Sequence, residues 1–421
     1  MRYRPSGAVV ELQEVPNVCA EGQTGLKPNQ GDRRLQRIPP FKTLDVFRGF
    51  AALWVVMFHS CNRWLPDGNL AYAHVPFYAL GINGRLGVTI FFVVSGYCIA
   101  AAAYSALVGG KTVWRYGYER IRRIYPPYLA AMFLAVFSGL AILYANAHHL
   151  IPAVHNLTTF PLEFKYWFAN VLLLQLELNT AMPSTVFWSL CYEVVFYLLI
   201  GIFLQGAKWV AARHGLRAGT IFLVTCLGVS TIASLGELLL TGKPVFPFDL
   251  WHQFSLGGLL FFLLELKPET TRDYGPRFRL IVLANLVPVV ALMLLFAALR
   301  QIGPVGLGFP STRAYTLTCL VFAALLAGLR RFDDAVSSHL LLKPLMWVGA
   351  FTYSLYLVHS IVLPYVDILS RKAGLVGPWY AVAFWLQVIV ATIFGRVFYL
   401  VVERRFISKR QVGRLKAEHV A

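Results

Sequence analysis

LDVFRGFAALWVVMFHS, residues 44–60, decides how the rest of the chain is read. It has the length and apolar weight of a membrane-crossing helix, yet carries Asp45, Arg48 and His59. A charged side chain facing lipid is costly, so such residues in a span turn toward the protein interior or a water-filled path. Arg48 and His59 are eleven residues apart, which at 100° per residue leaves them about 20° apart around a helix and about 16 Å apart along it. They share a face. The spacing predicts a guanidinium near one end of the first span and an imidazole much deeper, both on one interior path.

The whole chain supports this reading. Of 421 residues, 57% are hydrophobic and 14% charged, outside the range of soluble globular domains. An all-α, polytopic integral membrane protein follows, a bundle of about ten transmembrane helices. The expected spans are 44–62, 84–106, 124–146, 186–206, 217–237, 250–266, 280–299, 314–329, 345–366 and 379–400. The net charge of +18 would suit nucleic-acid binding in a soluble protein, but here the positive-inside rule accounts for it and no nucleic-acid partner is expected. The N-terminal region, 111–123, 208–217, 267–279, Arg330, Arg331 and Lys343, and 403–416 hold the basic residues and fall on one side. Both termini are therefore expected to be cytoplasmic.

Residues 1–40 read as a flexible basic cytoplasmic tail without signal-peptide features, 41–402 as the transmembrane domain, and 403–421 as a second basic cytoplasmic tail. In the long loop 147–185, FANVLLLQL (168–176) is too short to span, and reads as re-entrant or as a surface helix. Six cysteines without a CxxC pair read as packing residues, with no metal site expected.

Four further stretches place polar groups among apolar ones. GRLGVTIFFVVSGYCIAAA (84–102) sets Ser95 and Gly96 in mid-span, where they suit close helix packing or a path lining. RYGYERIRRIYPPY (115–128) brings Arg120, Arg122 and Arg123 to an expected helix start, with Pro126 and Pro127 in its first turn; free amides and guanidiniums there would make a phosphate seat. At 100° per residue Arg120 and Arg123 share a side and Arg122 points away. VFWSLCYEVVFYLL (186–199) spaces Ser189, Glu193 and Tyr197 on one face, with Trp188 either an interface aromatic or part of the site. FTYSLYLVHS (351–360) adds Tyr353, Tyr356 and His359.

Taken in order, these stretches resemble the acyltransferase-3 family of bacterial integral membrane O-acyltransferases. Arg48 and His59 look like its basic-x10-His signature, FFVVSGY like FFxxSGF, RIRRIYP like its basic third-helix motif, WSLCYEVVFY like WSLxxExxFY, and YSLYLVH like YSxYLxH. Tyr97 departs from the usual Phe, and the C-terminal esterase-like domain of some members is not expected. The resemblance implies a bacterial inner-membrane location and transfer of an acyl group, acetyl before succinyl or longer, from cytoplasmic acyl-CoA to a hydroxyl of a cell-surface or lipid-linked carbohydrate. His59 would be general base or transient acyl carrier, Arg48 and Glu193 its catalytic companions, and Arg120, Arg122, Arg123, Ser95, Trp188, Tyr197, Tyr353 and His359 would bind substrates. Acyl-CoA is then a co-substrate rather than a resident cofactor, and membrane lipids and a glycolipid acceptor are the other partners. A transporter of anionic solutes is the alternative, since it too would bury Arg, His and Glu.

Overall fold

The first helix begins where a carboxylate from far along the chain meets it. Asp333 accepts hydrogen bonds from the Thr43 amide (2.8 Å), the Thr43 hydroxyl (2.7 Å) and the Lys42 amide (3.1 Å). A helix N-terminus carries unpaired amides and the positive end of the dipole, so a buried carboxylate is a strong cap there. The computed structural model describes residues 41–64, 78–151, 160–266, 274–299, 312–375 and 377–407. Residues 1–40 and 408–421, most of both expected tails, lie outside the described residues, as does much of the 63–83 loop.

In order, the helices are α1 (Thr43–Trp64), α2 (Tyr78–Ile82), α3 (Gly87–Val108), α4 (Val113–Ala147), α5 (Phe164–Leu172), α6 (Trp188–His214) and α7 (Leu216–Thr241). They continue with α8 (Trp251–Glu265), α9 (Pro276–Leu299), α10 (Thr312–Leu329), α11 (Asp333–Ser338), α12 (Lys343–Gly349), α13 (Thr352–Lys372) and α14 (Tyr380–Val401). Among the described residues there is no strand, and nine helices are long and apolar enough to cross a membrane. The protein is an all-α polytopic membrane protein.

Three expected spans take a different form. The sixth is α8, of 15 residues, short for a hydrocarbon core of about 30 Å. It is buried along nearly its whole length among other helices, and its last residue, Glu265, is paired with Arg330 (2.9 Å to Nη2) beside the start of α1. It is not among the nine helices long enough to cross by themselves, and it lies packed inside the bundle. The ninth span is broken: α12 stops at Gly349 and α13 starts at Thr352. The third is extended backward by three turns, because α4 begins at Val113 with Thr112 as its cap. Hydropathy marks only the lipid-facing part of a helix and misses the polar turns that project beyond it.

Glycine sets the closest crossings. A Cβ on Gly96 of α3 would lie 1.9 Å from the Phe254 carbonyl oxygen of α8, and one on Gly257 would lie 1.9 Å from that of Val93. The same reciprocity joins α1 to α12: Gly49 meets the Leu345 oxygen at 1.9 Å and Gly349 the Asp45 oxygen at 2.1 Å. Helices in lipid associate through such small-residue contacts, and here they bring the backbones to van der Waals limits. The α1–α12 crossing also explains why the chain breaks after Gly349, since α12 must lie flush against α1 before α13 can cross.

The long loop folds back into the bundle. The Tyr128 hydroxyl donates to the Asn170 carbonyl (2.5 Å) and that of Tyr125 to the Val171 carbonyl, so two α4 side chains satisfy orphan carbonyls at the end of α5. Tyr125 lies 22 residues, about 33 Å, from the end of α4 at Ala147. The segment therefore folds back along α4, and it delivers Phe187 and the start of α6 to the interior against Tyr128.

Candidate functional site

Five helices line a cavity of about 110 Å³, enough for several waters or a small polar group. Arg48 enters from α1; Phe91, Phe92, Ser95 and Cys98 from α3; Arg120, Arg123 and Ile124 from α4; Ser189, Glu193 and Tyr197 from α6; and Thr352, Tyr353 and Tyr356 from α13. Three guanidiniums face one carboxylate, so the lining is net positive. Ser95 points inward while its neighbour Gly96 makes the α3–α8 crossing, so the two readings of that motif divide between adjacent residues.

Arg48 is held on two sides, by Asp45 one turn earlier (Nη1 to Oδ1, 3.0 Å) and by the Cys98 sulfur (3.0 Å from Nη2). The first pair answers why a span would carry Asp45 as well as Arg48: each lowers the cost of burying the other. Arg120 and Arg123 line the cavity and Arg122 is exposed, as the helical spacing requires. The Nε of Arg120 is buried without a hydrogen-bond partner among the described residues. The expected phosphate seat at a helix start is corrected, however. Because α4 begins at Val113, its free amides lie two turns before the arginines, and Pro126 and Pro127 stand inside the helix rather than in its first turn. Their rings remove the amide donors that would bond the carbonyls of Arg122 and Arg123. An anion placed here would meet guanidiniums and no free helix amides.

Glu193 accepts from the Tyr197 hydroxyl (2.7 Å) and faces Arg48, Arg120 and Arg123 within electrostatic range. Ser189 is hydrogen-bonded to the Tyr356 hydroxyl (2.6 Å), which also donates to the Val186 carbonyl (2.9 Å). The Tyr353 hydroxyl donates to the Ile124 carbonyl (2.8 Å). These contacts clamp α4, α6 and α13 around the cavity. Glu403, in the short turn that follows α14, accepts from the Ser354 amide (3.1 Å) and so caps the start of α13 as Asp333 caps that of α1.

His59 and His359 do not line the cavity. They lie together farther along α1 and α13, ring centroids 5.0 Å apart. The Tyr356 ring is 5.8 Å from that of His359 and 6.0 Å from that of Phe91, so it forms a wall shared by the cavity and the histidines. Trp188 is also outside the cavity, packed edge-on against Phe92 and Tyr192. The Tyr192 hydroxyl donates to Asp249 (2.9 Å), tying the loop before α8 to α6; burial pushes that carboxyl up to about 6.

With this geometry in place, comparison with known proteins adds a family. Residues 41–401 match a family model described as an acyltransferase domain. The chain belongs to this acyltransferase family. It is 22% identical over 396 residues to a Staphylococcus aureus (strain COL) protein named "Putative O-acetyltransferase", covering 90% of this chain and 59% of the relative. It is 24% identical over 383 residues to a Bacillus subtilis (strain 168) protein named "Putative peptidoglycan O-acetyltransferase", covering 86% and 54%. It is 23% identical over 345 residues to the O-acetyltransferase OatA of S. aureus (strain NCTC 8325), covering 77% and 51%. The chain thus spans between half and three-fifths of the length of these relatives. No solved structure matches.

Within this acyltransferase chain, sequence reasoning missed Cys98, Thr352 and one pairing, and gave Tyr356 no role in the site. Cys98 was expected only to pack, although it falls one turn after Ser95 on the same face and touches Arg48. Tyr356 and Thr352 share the inward face of α13 with Tyr353, a pattern visible in the spacing. The pairing of His59 with His359 joins residues 300 positions apart and leaves no local signal.

Proposed function

We propose that this chain is an integral membrane O-acyltransferase that moves an acetyl group from cytoplasmic acetyl-CoA to a hydroxyl of a cell-surface or lipid-linked carbohydrate in the bacterial inner membrane. The basic side is the cytoplasmic one on this reading, following the positive-inside rule. The observation that carries it is a separation. Arg48 and His59 are eleven residues apart on one straight face of α1, about 16 Å along the axis. The pantetheine arm of CoA, counted from pyrophosphate to sulfur, also extends about 16 Å at the ~3.6 Å per three bonds of an extended chain. Phosphates held by Arg48, Arg120 and Arg123 would therefore present the thioester at His59.

The buried Nε of Arg120 is a donor for such an anion, and guanidiniums are the side chains best suited to phosphate oxygens. At the far end, His59 acts as general base on the acceptor hydroxyl or takes the acyl group transiently; both need a neutral imidazole at the thioester carbon. The relatives' names support acetyl as the group and a wall polysaccharide as one acceptor class. Purified full-length protein supplied with acetyl-CoA and a short glycan should release free CoA thiol and yield acetylated glycan by mass spectrometry. Solute uptake into proteoliposomes without CoA release would overturn the proposal in favour of a transporter.

A further inference from the structure

Resting on the acyl-transfer reading above, we propose that His359 is a positioning and proton-accepting partner of His59: the second imidazole of the transfer centre. The two rings come from different helices, α1 and α13, with centroids 5.0 Å apart and planes inclined at 51°. The rings pack against each other, and a small turn of either about its Cβ–Cγ bond would bring a nitrogen of one within hydrogen-bond distance of the other, about 2.8–3.0 Å. His359 is fully buried, whereas His59 is half-buried and so open to a substrate.

The tautomer of His359 is fixed by its neighbour. Its Nδ1 is 3.1 Å from the Leu355 carbonyl oxygen, one turn earlier in α13. A carbonyl oxygen only accepts, so the proton sits on Nδ1 and Nε2 carries the lone pair. The ring thus presents a proton-accepting nitrogen on the edge opposite its backbone anchor. The two supporting helices are each pinned at the basic side by a carboxylate from elsewhere, Asp333 on α1 and Glu403 on α13, and Tyr356, bonded to Ser189, holds the turn that precedes His359. Histidines that only filled space would not require this fixing of register.

The step balances with both rings. The acceptor O–H bond breaks and its proton goes to one nitrogen of His59. The oxygen bonds the acyl carbon, the carbon–sulfur bond breaks, and the thiolate leaves with the electron pair. The proton on the other nitrogen of His59 passes to Nε2 of His359, which becomes an imidazolium while Nδ1–H stays on the Leu355 carbonyl. After product leaves, that proton returns to solvent or to the thiolate.

The test compares two substitutions in the full-length protein. In His359→Asn the amide stands where Nδ1 was and can still donate to Leu355, but nothing replaces Nε2. This variant should lose about 100-fold in kcat for CoA release, with KM for acetyl-CoA and calorimetric CoA affinity unchanged. His359→Gln, which reaches the Nε2 position but accepts no proton, should lose as much. Wild-type kcat in either would overturn the proposal. Should both variants be lost from the membrane, the wild type still decides: its rate in H2O–D2O mixtures should curve as for two protons in flight, and a linear dependence would overturn it. If the wild type releases no CoA at all, the acyl-transfer reading itself falls. An active wild type, an inactive His59→Ala and a fully active His359→Asn would remove only His359.

Discussion

The arginine cavity and the histidine pair occupy the same helices yet are built by opposite rules. Around the cavity, charges are held by other charges and by hydroxyls: Arg48 by Asp45, Glu193 by Tyr197 and three guanidiniums, Ser189 by Tyr356. Around the histidines the neighbours are rings: Phe58 at 5.2 Å from His59 and Tyr356 at 5.8 Å from His359. The first environment suits a permanent anion, the second a group that must exchange a proton. On the proposed reading, binding and bond-making are separated along α1 by about 16 Å, and the donor's arm would run past the Phe91–Tyr356 wall.

The comparison is broken most sharply at the imidazole. His59→Ala should reduce acyl transfer by about 10²–10⁴-fold while CoA affinity by calorimetry stays within about twofold, and His59→Gln should not rescue it. A mutant that loses CoA binding as well would mean that the two regions are one site. Next in size are the cavity cations. Arg120→Gln or Arg123→Gln should weaken CoA binding by about 1–3 kcal/mol, whereas exposed Arg122→Gln should change it little; titration at two salt concentrations checks both. Equal affinity in all three would place the donor elsewhere.

Smaller effects sharpen the contrast from outside. Asp333→Asn and Glu403→Gln should each cost about 0.5–2 kcal/mol of stability, the range of lost helix caps, read as a lowered thermal midpoint in detergent. Both should slow transfer more than they weaken CoA binding, because each cap sets the register of a histidine-bearing helix. Smallest is Tyr97→Phe. Tyr97 donates to Glu265, but Arg330 holds the same carboxylate through two nitrogens, so about 1 kcal/mol or less should be lost, with no change in kcat.

What could be read from the sequence was whatever a single helix decides. The alignment of Arg48 with His59, the inward pair Arg120 and Arg123 with Arg122 outside, and the face shared by Ser189, Glu193 and Tyr197 all follow from 100° per residue. Helix ends were less legible. KTVWRYGYERIRR reads as a polar loop by hydropathy, yet its Thr112 cap and long basic side chains let α4 begin three turns early. The break after Gly349 depends on the Asp45 carbonyl of another helix, and the meeting of the two histidines on how α1 packs on α13. Neither has a period to detect.

The cap on α1 has a consequence for how the protein is made. Thr43 and Asp333 are 290 positions apart, so at ~5–20 residues per second the ribosome needs about 15–60 s after finishing the first helix start to supply its partner. Glu403 arrives later still. A nascent chain that stalls in between holds Arg48 and His59 in the membrane with their helix unanchored and the α13 wall missing. On the proposed reading, chains that stop before Glu403 are therefore expected to be catalytically silent.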